Sequence, residues 1–329
     1  MRAICVNPDR TLEARELPAP SSAAPGHVIL RSAGSAINPG DLFFLRNPAG
    51  LPPRSNDVWG ASGAGTVLAV GDGVDQALVG KRIAVYRSLV RTEEAIGCWS
   101  EVQQVPALAC CVLPDEVEPL DYCGSLVNAI TPWAFWQLAK AEGHEGILIT
   151  AGTSATGIAM LAIALALEVP VVSIVGRPEG KVQLAALGAT RIVVQTDADF
   201  DEQLQKETAS AAATAVFEGV SGELLTRIAP LLPVQSTVYG YGFLGGQVPF
   251  TLLGRVMMAR SLTVKSFSNF ATPTVRDPQA LAAALADLAQ LIGAPHFKTR
   301  RGPSFGYAEI DRAIAHAAKD GSRAVLVPG

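Results

Sequence analysis

The chain has 329 residues, and 26 Lys and Arg against 30 Asp and Glu leave a formal charge of −4. Hydrophobic residues make up 49% and charged residues only 17%, which excludes a disordered chain and favours two packed domains. Mild acidity without Lys/Arg clusters argues against a nucleic-acid or anionic-membrane partner.

Met1–Val6 reads as a strand, so no signal core precedes the fold and a cytoplasmic location is expected. Short apolar runs follow at Val28–Arg31, Gly65–Val70, Arg82–Tyr86 and Ser100–Val105. Turn signals at Pro25-Gly26, Gly71-Asp72-Gly73 and Gly80-Lys81 separate them, as in an antiparallel β region. From about Leu120 strands and helices alternate. Helices are expected over Tyr122–Lys140, after Gly157, and over Pro178–Leu187, Phe200–Thr208 and Gly222–Leu231. Strands are expected at Ile147–Thr150, Val171–Val175, Arg191–Val194, Ala215–Glu218 and Ser236–Tyr239. Such repeated β-α-β favours a right-handed parallel sheet. The tail predicts a strand over Leu262–Phe267, helices over Pro278–Ile292 and Ala308–Lys319, and a last strand over Ala324–Val327.

Gly146–Leu167 carries no charged side chain and is long enough to raise a membrane span. Its middle holds Gly152, Thr153, Ser154, Thr156 and Gly157, which reads instead as strand, tight turn and helix. Two buried elements of a parallel sheet explain the missing charge without lipid. The five cysteines lack paired spacing and the four histidines lack an HExxH arrangement. Neither a disulfide framework nor a metal site is therefore expected.

The turn Ala151-Gly152-Thr153-Ser154-Ala155-Thr156-Gly157 suits a dinucleotide-binding unit. There the first glycine makes the turn, the last admits close helix–sheet packing, and the pyrophosphate sits on the helix N-terminus. The middle glycine of that pattern is Ser154, and the alternative is a Gly/Ser turn that binds nothing. At the end of the next strand, where an NAD site would carry a carboxylate, stand Gly176, Arg177 and Lys181. Two cations suit a 2′-phosphate and point to NADPH. The alternative is a solvated Arg177, with Glu179 taking the ribose hydroxyls.

These residues, with Ala36-Ile37-Asn38-Pro39-Gly40-Asp41, Gly60-Ala61-Ser62-Gly63-Ala64-Gly65, Gly97-Cys98-Trp99-Ser100-Glu101 and Leu187-Gly188-Ala189, give a pattern. It resembles the zinc-independent medium-chain dehydrogenases/reductases, the quinone oxidoreductases and 2-enoyl thioester reductases. The resemblance runs over nearly the whole chain. It implies an α/β fold, a Rossmann doubly wound parallel sheet (123–265) inserted in a β-rich GroES-like catalytic domain (1–122 and 266–329). NADPH is expected in the cleft between them, and a homodimer is expected from the family. Zinc-dependent relatives carry Cys near Asn38 and Gly-His-Glu near Gly60; those first ligands are missing here. What remains is hydride delivery to a small electrophile: a quinone, or the activated C=C of an enal, enone or enoyl thioester.

The resemblance places Asn38 and Asp41 along the active-site cleft, although Asn-Pro-Gly-Asp is also an ordinary turn. It places Asn128 and Thr131 near the nicotinamide, with helix-turn capping as the alternative. It sets backbone of Tyr239-Gly240-Tyr241 and Phe267-Ser268-Asn269 against that ring, while either tyrosine could be a packed aromatic. No Tyr lies between Phe43 and Trp59, where the thioester reductases keep a proton donor, so solvent is expected to supply the proton. An NADPH-binding structural or sensor protein without turnover is the reading from another class.

Overall fold

The computed structural model describes residues 1–46, 57–246, 248–317 and 322–329. The expected helix end at Lys319 lies outside the described residues. Two compact units emerge: Met1–Asn128 with Leu281–Gly329, and Ala129–Ala280.

The first unit opens with β1 (Arg2–Val6), β2 (Leu12–Glu16), β3 (His27–Ala36), α1 (Pro39–Arg46), β4 (Asp57–Val58), β5 (Ser62–Val70), β6 (Arg82–Tyr86), β7 (Val102–Pro106) and β8 (Cys110–Val112). β1 pairs antiparallel with β2 and β4. β3 pairs antiparallel with both β5 and β7, which explains why nearly all of it is buried. Val28, Leu30, Val67, Ile83, Val85 and Val105 form the core of this sheet.

The second unit begins within α2 (Ser125–Ala141). Its strands are β9 (Ile147–Ile149), β10 (Val171–Val175), β11 (Ile192–Val194), β12 (Ala215–Glu218), β13 (Thr237–Gly240) and β14 (Thr263–Ser266). Between them run α3 (Ala155–Ala166), α4 (Pro178–Ala186), α5 (Phe200–Ser210), α6 (Gly222–Ile228) and α7 (Gly254–Arg260), and α8 (Pro273–Arg276) follows. All six strands are parallel, in the order β11-β10-β9-β12-β13-β14. Counted within the unit this is 3-2-1-4-5-6, the doubly wound order that binds dinucleotides. β9 and β12 are buried throughout and almost wholly apolar, as helix-covered parallel strands must be. Leu148, Val172, Ile174, Val216 and Val238 pack with Phe200, Leu204, Leu224 and Ile228 from α5 and α6. Phe135 of α2 instead stacks on Phe217 (4.3 Å) and meets Tyr239 and Phe267 edge-on.

The chain then returns to the first unit through α9 (Pro278–Leu291), β15 (Arg301–Phe305), α10 (Ile310–Ala317) and β16 (Arg323–Leu326). β16 pairs parallel with β15 and antiparallel with β3.

Several element ends differ from the sequence expectation for local reasons. Pro119–Tyr122 forms a 3-10 turn, so α2 starts only at Ser125. α6 stops at Ile228 because Pro230 lies in a 3-10 turn, Ala229–Leu231. Helix α1 was hidden behind Pro39 and Gly40, which read as a turn, yet a proline is well suited to a helix start.

Beyond the apolar core, one polar cluster ties the end of α2 to the sheet. Glu142 accepts hydrogen bonds from the Tyr239 hydroxyl (2.6 Å) and from Lys265 Nζ (2.6 Å), with Lys265 lying over the Tyr239 ring. Glu142→Ala should lower stability by about 1–3 kcal/mol, since it leaves a buried hydroxyl unpaired. A denaturant midpoint unchanged from the native chain would refute that role.

Candidate cofactor site and active-site residues

Parallel register aligns the strand ends of the second unit. Glu218 closes β12 opposite Gly240 of β13, and Gly240 lies opposite Ser266 of β14. Ligands of doubly wound sheets bind beyond such carboxyl ends.

The turn after β9 is built on close approach. The Gly152 N–H donates to the Ile174 carbonyl (3.0 Å), and a Cβ at Gly152 would lie 2.8 Å from that oxygen. A Cβ at Gly157 would run into the Ala151 carbonyl. Ser154 is the N-cap of α3, with φ −70° and ψ 159°, and its hydroxyl accepts from the Gly157 N–H (3.0 Å). That extended conformation needs no glycine, so serine is accommodated at the middle position. The N–H groups of Ala155 and Thr156 lie in the first helical turn, at the positive end of the α3 dipole, where an anion is favoured.

Beyond β10, Gly176 and Arg177 lead into α4, with Arg177 as an extended N-cap and Pro178 first in the helix. Arg177 and Lys181 are exposed, and neither enters an ion pair among the described residues. A Cβ at Gly180 would lie 3.0 Å from Thr153 Cγ2. The first turn of α4 therefore lies against the Gly152 turn, and Thr153 joins the two loops.

The ends of β13 and β14 are more mixed. Tyr239 is fully buried in the aromatic cluster, and burial and the adjoining Glu142 carboxylate push its hydroxyl pKa up. Its side chain is thus committed to packing. Tyr241 stacks on Phe217 (4.0 Å, 21° between planes). Burial raises its pKa, Ser154 beside it acts the other way, and the Glu218 charge raises it further. The Gly240 carbonyl accepts from the Phe267 N–H (2.8 Å), while the Phe267 ring joins the aromatic cluster. Ser268 is exposed. Buried Asn269 donates from Nδ2 to Thr131 Oγ1 (3.4 Å) and accepts from the Phe270 N–H. The structure thus brings together Thr131 with Asn269, Ser154 with Tyr241, and Thr153 with the start of α4. Sequence reasoning passed over Thr150, Phe217 and Glu218; the one available signal was a carboxylate ending the otherwise apolar β12.

In the first unit, Asp41 sits in the first turn of α1. Its carboxylate accepts from the Asn38 N–H (2.8 Å) and the Ala61 N–H (2.9 Å), a reach-back cap. Burial pushes its pKa up to about 6, against those backbone donors, the Asn38 side chain and Arg87. Asn38 is buried, and its Nδ2 completes no hydrogen bond among the described residues. Asn128 donates to the carbonyl of Gly124, the residue just before α2 (2.7 Å). Gly60 has φ +94° and is covered by the Trp99 indole. Among the described residues no three His, Cys, Asp or Glu are grouped to hold a metal ion, and no helix is long and apolar enough to cross a membrane.

Residues 24–115 match the alcohol dehydrogenase GroES-like domain family. The quinone oxidoreductase of Thermus thermophilus, solved also in complex with NADPH, is 25% identical, with 99% of this chain and 100% of that one covered and a TM-score of 0.73. The chain thus shares its fold with that oxidoreductase, and residues 24–115 carry the GroES-like domain. The Salmonella typhimurium quinone oxidoreductase is 23% identical over 90% of this chain and 88% of its own length. The phthioceranic/hydroxyphthioceranic acid synthase of Mycobacterium bovis is 26% identical over 60% of the chain, which spans only 9% of that synthase.

The Asp41 carboxyl has an ordinary value of 3.8 and one of about 6 when folded. The folded chain therefore holds that proton more tightly. The associated stability is complete below about pH 4 and lost as pH rises through about 6. Asp41→Asn should flatten this part of the melting temperature profile; an unchanged slope would assign it to other groups.

Proposed function

We propose that the chain is an NADPH-dependent oxidoreductase that needs no zinc and transfers a hydride to a quinone or to the activated C=C of an α,β-unsaturated carbonyl or enoyl thioester. One observation carries this reading: exposed Arg177 and Lys181 stand at the end of β10, beside the Gly152 turn, where an NAD site would present a carboxylate. The two glycines that leave no room for a Cβ, the Ser154 cap and the α3 N-terminus fit a pyrophosphate. The NADPH complex of the Thermus thermophilus relative supports the cofactor choice.

NADPH supplies the hydride when bound. The chain's part is to bind and orient. Arg177 and Lys181 would grip the 2′-phosphate, Arg177 with its planar fork. Backbone of Gly240-Tyr241 and Phe267-Ser268-Asn269, with Thr131 and Asn269 linked behind it, would fix the nicotinamide end. Asn38 offers an amide N–H to the oxygen on which charge develops, an enolate or a hydroquinone oxygen. Asp41 holds the Asn38 backbone in place. With Tyr239 bonded to Glu142 and Tyr241 buried against Ser154, the proton is assigned to solvent. Pairing of two copies through β14, the edge of the six-stranded sheet, would make a homodimer; Val264 on that strand and Met257 and Met258 of α7 are exposed.

Arg177→Ala should raise the Kd for NADPH by about tenfold or more and leave NADH nearly unchanged in a fluorescence titration. Equal losses for both cofactors would remove the phosphate role. With NADPH bound, oxidation should follow addition of 1,4-benzoquinone or crotonyl-CoA. Oxidation by the quinone alone would eliminate enoyl reduction, and none by any acceptor would leave a binding protein without turnover.

A further inference from the structure

Beneath the phosphate turn lies a buried carboxyl group with no part in the functional reading so far. Glu218 is 1% exposed. Its Oε1 accepts from Thr150 Oγ1 (3.1 Å), the Val220 N–H (2.6 Å) and the Ser221 N–H (2.7 Å). Thr150 in turn accepts from the Gly219 N–H (3.0 Å). Thr150 is also the residue between β9 and the turn Ala151–Gly157. One carboxyl oxygen thereby ties the end of β12 to the start of the phosphate turn.

The same group holds strained backbone. Ser221 has φ 66° and Gly222 φ 59°, conformations that a serine adopts only when its surroundings enforce them. The two N–H bonds to Glu218 are such an enforcement. From this loop the network reaches the turn a second way. A Cβ at Gly219 would lie 2.5 Å from the Tyr241 hydroxyl, so the loop backbone packs directly on that phenol. Tyr241 is held from the other side by Phe217, and its hydroxyl lies beside Ser154, the α3 cap. Burying a carboxyl group at this depth is unfavourable unless its oxygens are paired, and Glu218 Oε2 has no hydrogen-bond partner among the described residues. An apolar side chain at this strand end would fill the space without that penalty. The placement is therefore better explained by geometry imposed on the turn than by stability.

We propose that Glu218 is a positioning residue for cofactor binding, acting through Thr150 and through the Gly219–Tyr241 contact on Ser154. It sets the presentation of the α3 N-terminus to a pyrophosphate without touching it. The inference rests on the NADPH-binding reading above.

The test compares Glu218→Gln and Thr150→Val with the native chain. Both are close in shape to the native residues, and Thr208→Val, which removes a buried hydroxyl from α5, serves as the structural control. NADPH Kd and KM should rise about tenfold in Thr150→Val and Glu218→Gln. kcat at saturating NADPH should hold within about twofold, and Thr208→Val should leave Kd and KM unchanged even where its melting temperature falls as far. Unchanged Kd and KM in both variants, with lowered melting temperatures, would reduce Glu218 to a structural residue and overturn the proposal alone. No NADPH binding by the native chain would overturn this proposal and the functional reading together.

Discussion

The place of β9 between β10 and β12 is the constraint on which the rest depends. Because the first strand of the second unit lies at the centre of its sheet, the chain winds away from it in both directions. The loops after β9, β10, β12 and β13 then open on one edge. Parallel pairing allows no hairpins here, so each connection is a crossover whose helix covers a face. This explains the charge-free run of β9, turn and α3. The strand is buried on both faces, α3 is buried from Gly157 to Ala164, and the turn between them is compressed until only glycine fits at two positions. Lack of charge, lack of side chains and parallel topology are one fact seen three ways.

Charge is distributed around this edge in a consistent way. Arg177 and Lys181 stand outside it, exposed and unpaired among the described residues, whereas Glu218 is kept inside and oriented by backbone N–H groups. An anion approaching the α3 N-terminus meets partial positive charge from the helix and full positive charge from α4. The buried carboxyl is held behind Thr150. Such a separation needs the carboxylate to be held by specific bonds, and Glu142 and Asp41 are likewise bonded.

Much of this was legible in the sequence where the signal is local. The strand, turn and helix around Gly152, the missing carboxylate after β10 and the β-rich opening region each rest on a few adjacent residues. Features that depend on register were not legible. Nothing near Tyr239 shows that its ring faces α2 and meets Glu142, 97 residues away, whereas Tyr241, two residues on, turns toward Ser154. Glu218 was passed over because the side chain that bonds it, Thr150, follows a neighbouring strand 68 residues away. Strand β15 escaped notice because Gly302 and Pro303 break its pattern, which its position at a sheet edge tolerates.

The substrate side follows from what Asp41 is already doing. A carboxylate that accepts two backbone N–H groups and caps α1 has little left to offer a substrate, and moving it would undo the helix start beside Asn38. The positions that the sequence resemblance matches to zinc ligands are here an asparagine and the Gly60-Ala61-Ser62 segment, with Gly60 packed under Trp99. On the proposed function, the donor that the described residues of the first unit leave for a substrate oxygen is the Asn38 amide N–H. A single neutral donor stabilises developing negative charge far less than a divalent cation does. On the proposed function, then, the acceptor must bring its own electrophilicity, as a quinone or a conjugated carbonyl does, and the chain's contribution is chiefly the precision with which the Gly152 turn and its supports hold the donor.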